Sequence, residues 1–164
     1  MGSEVRGSRY HSGFGVPVVR ARSSNPIGPG QAGRVVVADI AGRIAASIKR
    51  GDGEPIRVGN LSARRDYTDV RDVVRAYRML ITNGAAGEVY NVCSGRAVSV
   101  DDLATRLLEL AAVDLKVQVD QSLVRPIDVP LLLGDNARLN AASGWTPSIS
   151  LDDTLRDVLA ALLR

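Results

Sequence analysis

The sequence predicts an α/β or α+β domain, and three observations carry that expectation. Short apolar runs alternate with longer segments whose apolar residues recur every three or four positions, the first suited to strands and the second to helices. Glycine, asparagine and proline mark the joins between them. The 164 residues are 45% hydrophobic and 24% charged, enough apolar content for one core in a chain too short for two full domains. With one Trp and one Phe, that core is expected to be aliphatic.

Residues 1–10, MGSEVRGSRY, are polar and glycine-containing, and read as a disordered or added N-terminal stretch ahead of a folded domain at 11–164. The run 16–21 reads as a buried strand. Val37, Ile40, Ala41, Ile44, Ala45 and Ile48 then recur at helical spacing, and Lys49, Arg50 and Gly51 close that helix with cations and a glycine. Residues 55–59 form a short strand candidate. A second helix carries Val70, Val73, Val74, Tyr77 and Leu80, is entered through Thr68-Asp69 and is stopped by Asn83-Gly84. Residues 89–92 read as the next strand. Ser99 and Asp102 form a capping box before Leu103, Leu107, Leu108 and Ala111. Lys116-Val117-Gln118-Val119 alternates as a half-exposed strand does, a short helix spans 137–142 before Gly144, and a last helix opens at Ser150-Leu151-Asp152-Asp153.

Composition excludes several function classes. One cysteine, Cys93, allows no internal disulfide and no multi-cysteine metal site, and its strand-like setting predicts a buried, inert thiol. His11 has no partner at metal-ligand spacing and reads as a solvated helix-end residue. No apolar run approaches the roughly 18 residues of a membrane span, so the expected location is the cytoplasm. Against 18 acidic residues the 21 basic ones leave a net charge of +3, with no basic run interleaved with aromatics. An anionic small molecule is therefore the expected partner, and nucleic acid is not.

The stretch NPIGPGQAG contains a formal G-x-G-x-x-G at Gly28, Gly30 and Gly33. In a dinucleotide fingerprint the glycine turn follows its strand directly, so that the next helix aims free N–H groups at a pyrophosphate. Here residues 22–27 intervene, Pro29 removes a donor, and the acidic residue found downstream, Asp52, sits in a turn. The stretch reads as a plain loop.

Polar candidates lie elsewhere. Arg65 stands in Arg64-Arg65-Asp66 at the entrance to the second helix, and Arg125 lies between Val124 and Pro126 on a stiff extended path. Two such guanidinium groups can clamp a diphosphate bidentately. They can equally be satisfied at home, Arg65 by Asp66 or Asp69 and Arg125 by Asp128. A proton relay is absent from the sequence: there is no Ser/His/Asp set, no Cys/His set and no Tyr-x-x-x-Lys pair.

The segments VPVVRARSSNPIGPGQ, VGNLSARRDYTDVRDVVRAY, GEVYNVCSG, RPIDVPLLLGDNARL and GWTPSISLDDTL, in this order, resemble the C-terminal part of the extended short-chain dehydrogenase/reductases that act on nucleotide sugars. The resemblance is to the branch of GDP-mannose 4,6-dehydratases and GDP-4-keto-6-deoxy-mannose reductases. It implies the last Rossmann elements plus a small α/β substrate domain, with the Rossmann nucleotide-binding core, its glycine turn and the Tyr-x-x-x-Lys pair lying before residue 1. It further implies NADP or NAD in the intact enzyme, with no cofactor expected on this chain. By position, Asn25 matches an asparagine that contacts the nucleotide sugar, Arg65 and Arg125 match the arginines on its diphosphate, and Asp128 matches an acidic residue near the ribose. Val36 and Val37 fall in the segment that lines the guanine pocket, while Asp69 and Asp72 are expected to be structural. Ser24 departs from the family's aromatic residue. The Gly-Pro-Gly-Gln loop and Tyr67 lean toward the reductase branch. The implied function is the GDP-sugar-binding fragment of an oxidoreductase or dehydratase, inactive alone; the alternative is a stand-alone binding or assembly module. An uncovered sheet edge is expected to pair with a second copy or with the Rossmann half.

Overall fold

The computed structural model describes residues 2–31, 35–124 and 128–164. Helix α1 (Gly2–Phe14) begins the chain, where composition alone predicts fraying. Tertiary contacts hold it: Glu4 pairs with Arg22, the His11 ring nitrogen Nδ1 lies 2.9 Å from the Val16 carbonyl oxygen, and Gly7 sits close against Val18. His11 is accordingly packed over Gly87 rather than freely solvated.

The first strand, β1 (Arg20–Ser23), starts four residues later than the apolar pattern suggests, with half-buried residues at its two ends and exposed ones between them. Pro17 explains the shift, because it cannot donate to a ladder. The lead-in instead bonds to itself and to a turn, Val18 donating to the Val16 carbonyl at 2.8 Å and Gly87 to that of Val18 at 2.8 Å. β1 runs parallel to β6 (Val89–Val92), with Arg20 opposite Val89 and Ser23 opposite Val92. Among the described residues, the other edge of β1 has no strand partner.

Three further small sheets follow. β2 (Pro26–Ile27) lies parallel to β5 (Thr68–Asp69), and β3 (Ile56–Val58) parallel to β8 (Val117–Val119). β4 (Arg64–Asp66) is the centre of three strands, antiparallel to β7 (Ala97–Ser99) and parallel to β9 (Leu131–Leu132).

The helices form where local chemistry places them. α2 (Val36–Arg50) ends on Gly51 at φ +65, which a side chain would strain. α3 (Val70–Asn83) is capped by the Asp69 carboxylate, which accepts from the Arg71 N–H at 2.7 Å. α4 (Val100–Ala111) is capped by Ser99, α5 (Ala137–Ser143) stops at Gly144, and α6 (Leu151–Leu163) is capped by Ser150. The main core lies where α2, α4 and α6 meet, around Ile40, Ile44, Leu103, Leu107 and Leu155. A second cluster sits between α3, α5 and β6 and centres on Trp145, whose indole N–H donates to the Asp72 carbonyl at 3.1 Å. The core is thus aliphatic in its larger part only: the one Trp is fully buried, while Phe14 is exposed.

Cys93, at the end of β6, is fully buried. Burial first, and then the neighbouring Asp66 charge, push its thiol up to about 11. Alkylation by iodoacetamide at pH 8 is expected to run at least about 100-fold slower in the native chain than in urea, since the thiolate is the reacting form. Equal rates would refute the buried placement.

Candidate functional site

The segment 64–72, RRDYTDVRD, builds the centre of the molecule through three carboxylates spaced three residues apart. Asp66 accepts from the Ser94 N–H (2.8 Å) and hydroxyl (2.6 Å) and from the Gly95 N–H (2.9 Å). Asp69 accepts from the Arg71 guanidinium and from the Thr154 hydroxyl (2.7 Å), and Asp72 from Arg75, the Ser148 hydroxyl and the N–H groups of Ser148 and Ile149. All three are buried and each is spoken for, so Asp69 and Asp72 are structural, as expected. Burial alone would raise both Asp69 and Asp72. Hydrogen bonds from Arg71 and Thr154 to the first, and from Arg75, Ile149 and Ser148 to the second, hold them below the usual carboxylate range.

With these carboxylates occupied, Arg65 turns elsewhere. Its guanidinium donates to Asp128 Oδ1 at 2.5 Å, to the Val129 carbonyl at 2.6 Å and to the Arg64 carbonyl at 2.9 Å. Neither Asp66 nor Asp69 is its partner. Asn60 donates to the second oxygen of Asp128 at 2.9 Å. The Arg65 and Asp128 side chains are only 16% and 19% exposed, so the pair is shielded enough to count energetically.

This pair lines a cleft of about 520 Å³, within the range usual for small-molecule sites. Of the residues expected at a site, the cleft brings together Asn25, Val36, Arg65 and Asp128. Asn25 has φ +31, a left-handed conformation uncommon for a residue with a side chain. Its amide donates to the Asp66 carbonyl at 3.0 Å, which ties the β1–β2 bend to β4. Val37 is a correction: it is fully buried in the main core. Adjacent residues on a helix point roughly 100° apart, so Val36 and Val37 cannot share the cleft-facing stripe. Arg125 lies outside the described residues, as does Gly33 of the glycine stretch.

Among the polar lining residues, sequence reasoning missed four: Asp39, Arg43, Asn60 and Tyr67. Asp39 and Arg43 follow Val36 at i+3 and i+7 on α2, a stripe legible once one member is placed. Tyr67 is buried, and its hydroxyl has no partner among the described residues. Burial, partly offset by the Arg65 charge, pushes that phenol up to about 12. Gly59 is required by the cleft wall, because a Cβ there would stand 2.6 Å from the Leu123 carbonyl oxygen.

The glycine stretch plays another part. A Cβ on Gly28 would lie 2.6 Å from a Val70 methyl, so this glycine admits the loop against the start of α3. Gly28 thus packs against protein where a dinucleotide cradle needs open backbone, and the residues present do not fit that group. Among the described residues there is no His/Cys/Asp/Glu group able to hold a metal ion, and no helix long and apolar enough to cross a membrane.

Parallel strands with helices packed across them, ending at a cleft lined by arginine, aspartate and asparagine, make up the C-terminal part of an extended short-chain dehydrogenase/reductase. The chain belongs to the GDP-mannose 4,6 dehydratase family, whose family model matches residues 1–158. It is 37% identical over 143 residues to the GDP-6-deoxy-D-mannose reductase of Pseudomonas aeruginosa, covering 87% of this chain and 47% of that protein. The structure of RMD from Pseudomonas aeruginosa complexed with NADPH superposes with a TM-score of 0.90 at 36% identity, over 98% of this chain and 53% of that one. The UDP-glucose 4-epimerase of Thermotoga maritima with UDP-glucose gives 0.86 at 27% identity, over 98% and 50%. The chain therefore spans about half the length of the relatives it matches.

Proposed function

We propose that this chain is the substrate-holding part of a GDP-sugar dehydratase or reductase, gripping the nucleotide diphosphate of a GDP-sugar in the cleft around Arg65. The observation that carries this reading is the meeting of Asn25, Val36, Arg65 and Asp128, far apart in sequence, around one cleft of suitable size. The names of the relatives, a GDP-6-deoxy-D-mannose reductase and a GDP-mannose 4,6-dehydratase, support the substrate class. Arg65 presents a planar fork suited to phosphate oxygens, and Asp128 orients that fork. Arg125 is proposed as the second diphosphate arginine. Asp128 is proposed as the acidic residue near the ribose.

In the intact enzyme, hydride passes between the sugar and NADP(H) or NAD(H), held by residues outside these 164. Residues 1–164 alone bind substrate and do not turn it over, and the setting is the cytoplasm. Calorimetric titration of this chain should give saturable binding of GDP and GDP-mannose, and a spectrophotometric assay no NADPH oxidation with GDP-4-keto-6-deoxy-mannose. Absence of GDP binding, or turnover by the pure chain, would overturn the respective half of the reading.

One observation favours the second reading, a binding or assembly module. Beside the open edge of β1, Pro17, Val19, Ala21, Tyr77, Leu80 and Ile81 line an apolar groove of about 440 Å³, and Val74 and Ile81 are largely exposed. Such a face suits a second copy or a separate Rossmann half. Turnover restored by a separately expressed N-terminal half of a relative would establish that role.

A further inference from the structure

A second cavity, of about 720 Å³, adjoins the cleft and shares Tyr67 with it as a common wall. None of Asn25, Val36, Arg65 and Asp128 lines it. Its floor is made of buried residues, among them Ile27, Thr68 and Asp69, and its rim of exposed ones, Arg96, Arg106 and Asp152. The charges around it do not cancel. Asp69 is filled by Arg71 and Thr154, and Asp152 accepts from Arg106 at 2.9 Å. Among the described residues, Arg96 bonds through its backbone N–H and carbonyl, each 3.2 Å from the Ser94 hydroxyl, and its guanidinium has no partner. On the floor, Thr68 is 2% exposed and its hydroxyl has no partner among the described residues either. A buried hydroxyl left unbonded costs the fold stability, a cost that a bound acceptor removes.

We propose that this cavity is a second ligand site, beside the cleft, and that it takes a phosphorylated sugar, with the phosphate at Arg96 and a sugar oxygen accepting from Thr68. An uncompensated guanidinium calls for an oxyanion, and a planar fork of N–H groups suits phosphate. The volume lies within the range usual for small-molecule sites and exceeds what a lone water or a bare phosphate fills. Besides Tyr67 no aromatic side chain lines the cavity, so a nucleobase finds little to stack on. A saturated ring bearing hydroxyls fits the lining better: Ile27 and Val98 meet its C–H face, and hydroxyl side chains surround it. The site stands on its own residues and does not require that the cleft hold a GDP-sugar.

The test titrates the 164-residue chain with glucose 6-phosphate by calorimetry. Saturable binding is expected with a Kd below about 1 mM, and glucose, which lacks the anion, should bind at least about tenfold more weakly. The affinity should stay within about threefold in Arg65→Ala and at saturating GDP-mannose, since neither change touches this cavity. Arg96→Ala, at an exposed position that leaves the fold intact, should weaken glucose 6-phosphate by about tenfold or more while GDP stays within about twofold. Thr68→Val, which exchanges the hydroxyl for a methyl, should weaken it about fivefold and raise the melting temperature of the unliganded chain by about 2 °C. Absence of glucose 6-phosphate binding overturns the proposal, and so does binding that vanishes in Arg65→Ala or under GDP-mannose, because the ligand then sits in the cleft. Full affinity in Arg96→Ala overturns it as well. A Thr68→Val chain that melts lower than the parent does the same, since its hydroxyl is then already bonded within the protein.

Discussion

Asp72→Ala is expected to lower the unfolding free energy by about 2–4 kcal/mol, the cost of removing a buried carboxylate that several donors share, discounted because its partner Arg75 is 38% exposed. Domains of this size are stable by only about 5–15 kcal/mol, so the variant should be marginally folded or unfolded at 37 °C. The carboxylate is 2% exposed and accepts from Arg75 (2.6 Å), the Ser148 hydroxyl (2.8 Å) and the N–H groups of Ser148 (2.8 Å) and Ile149 (2.9 Å). Alanine leaves the Ser148 and Ile149 N–H groups without their acceptor and unhooks the loop that leads into α6. Thermal unfolding followed by circular dichroism measures the loss, and a melting temperature within about 2 °C of the parent's would refute the assignment. The same chemistry sets an acid limit. Asp69 and Asp72 lie below their ordinary value in the folded chain, so their contribution is complete above the unfolded value of about 3.9 and disappears as pH falls through the lower folded values. Stability should be level from pH 7 to 5 and fall steeply below about 4.

Arg65→Ala is expected to weaken GDP binding by about 30-fold or more, the equivalent of 2 kcal/mol or above for a shielded charge pair cut at one end. Two effects combine in that number. The fork proposed to meet the phosphate oxygens is lost, and Asp128 and the Val129 carbonyl lose the group that holds them at the cleft. Arg65→Lys restores charge without the planar fork and should recover only part of the affinity. Because Arg65 lies at the cleft and not in the core, the melting temperature should move far less than in Asp72→Ala. Unchanged GDP affinity would remove Arg65 from the site.

Features that depend on near neighbours were legible in the sequence. Ser99, Ser150 and Asp69 cap helices, and Gly51 and Gly144 end them, because capping is decided within one turn of chain. The strands at 56–58, 89–92 and 117–119 fall where apolar alternation puts them. The first strand is displaced because Pro17 vetoes ladder bonds that hydrophobicity alone would favour. Val37 was misjudged for a different reason: whether a side chain faces the core or a cleft depends on which elements pack on it. Arg65 and Asp128 are 63 positions apart, and no local pattern distinguishes that pairing from one with the nearer Asp66 or Asp69. The resemblance placed both residues at a nucleotide-sugar site, and the fold explains how they meet.

The last helix, α6, fills the space between α2 and α4, and Thr154 upon it completes the shell of Asp69. A ribosome delivers α2 and α4 well before α6. Until Leu155, Val158 and Leu159 emerge, the nascent chain carries Ile40, Ile44, Leu103 and Leu107 with no cover, at a stage when chaperones and proteases have access to it. Stop codons at positions 151 to 155, which remove Leu155, Val158 and Leu159 together, should therefore yield polypeptide that is cleared or aggregates.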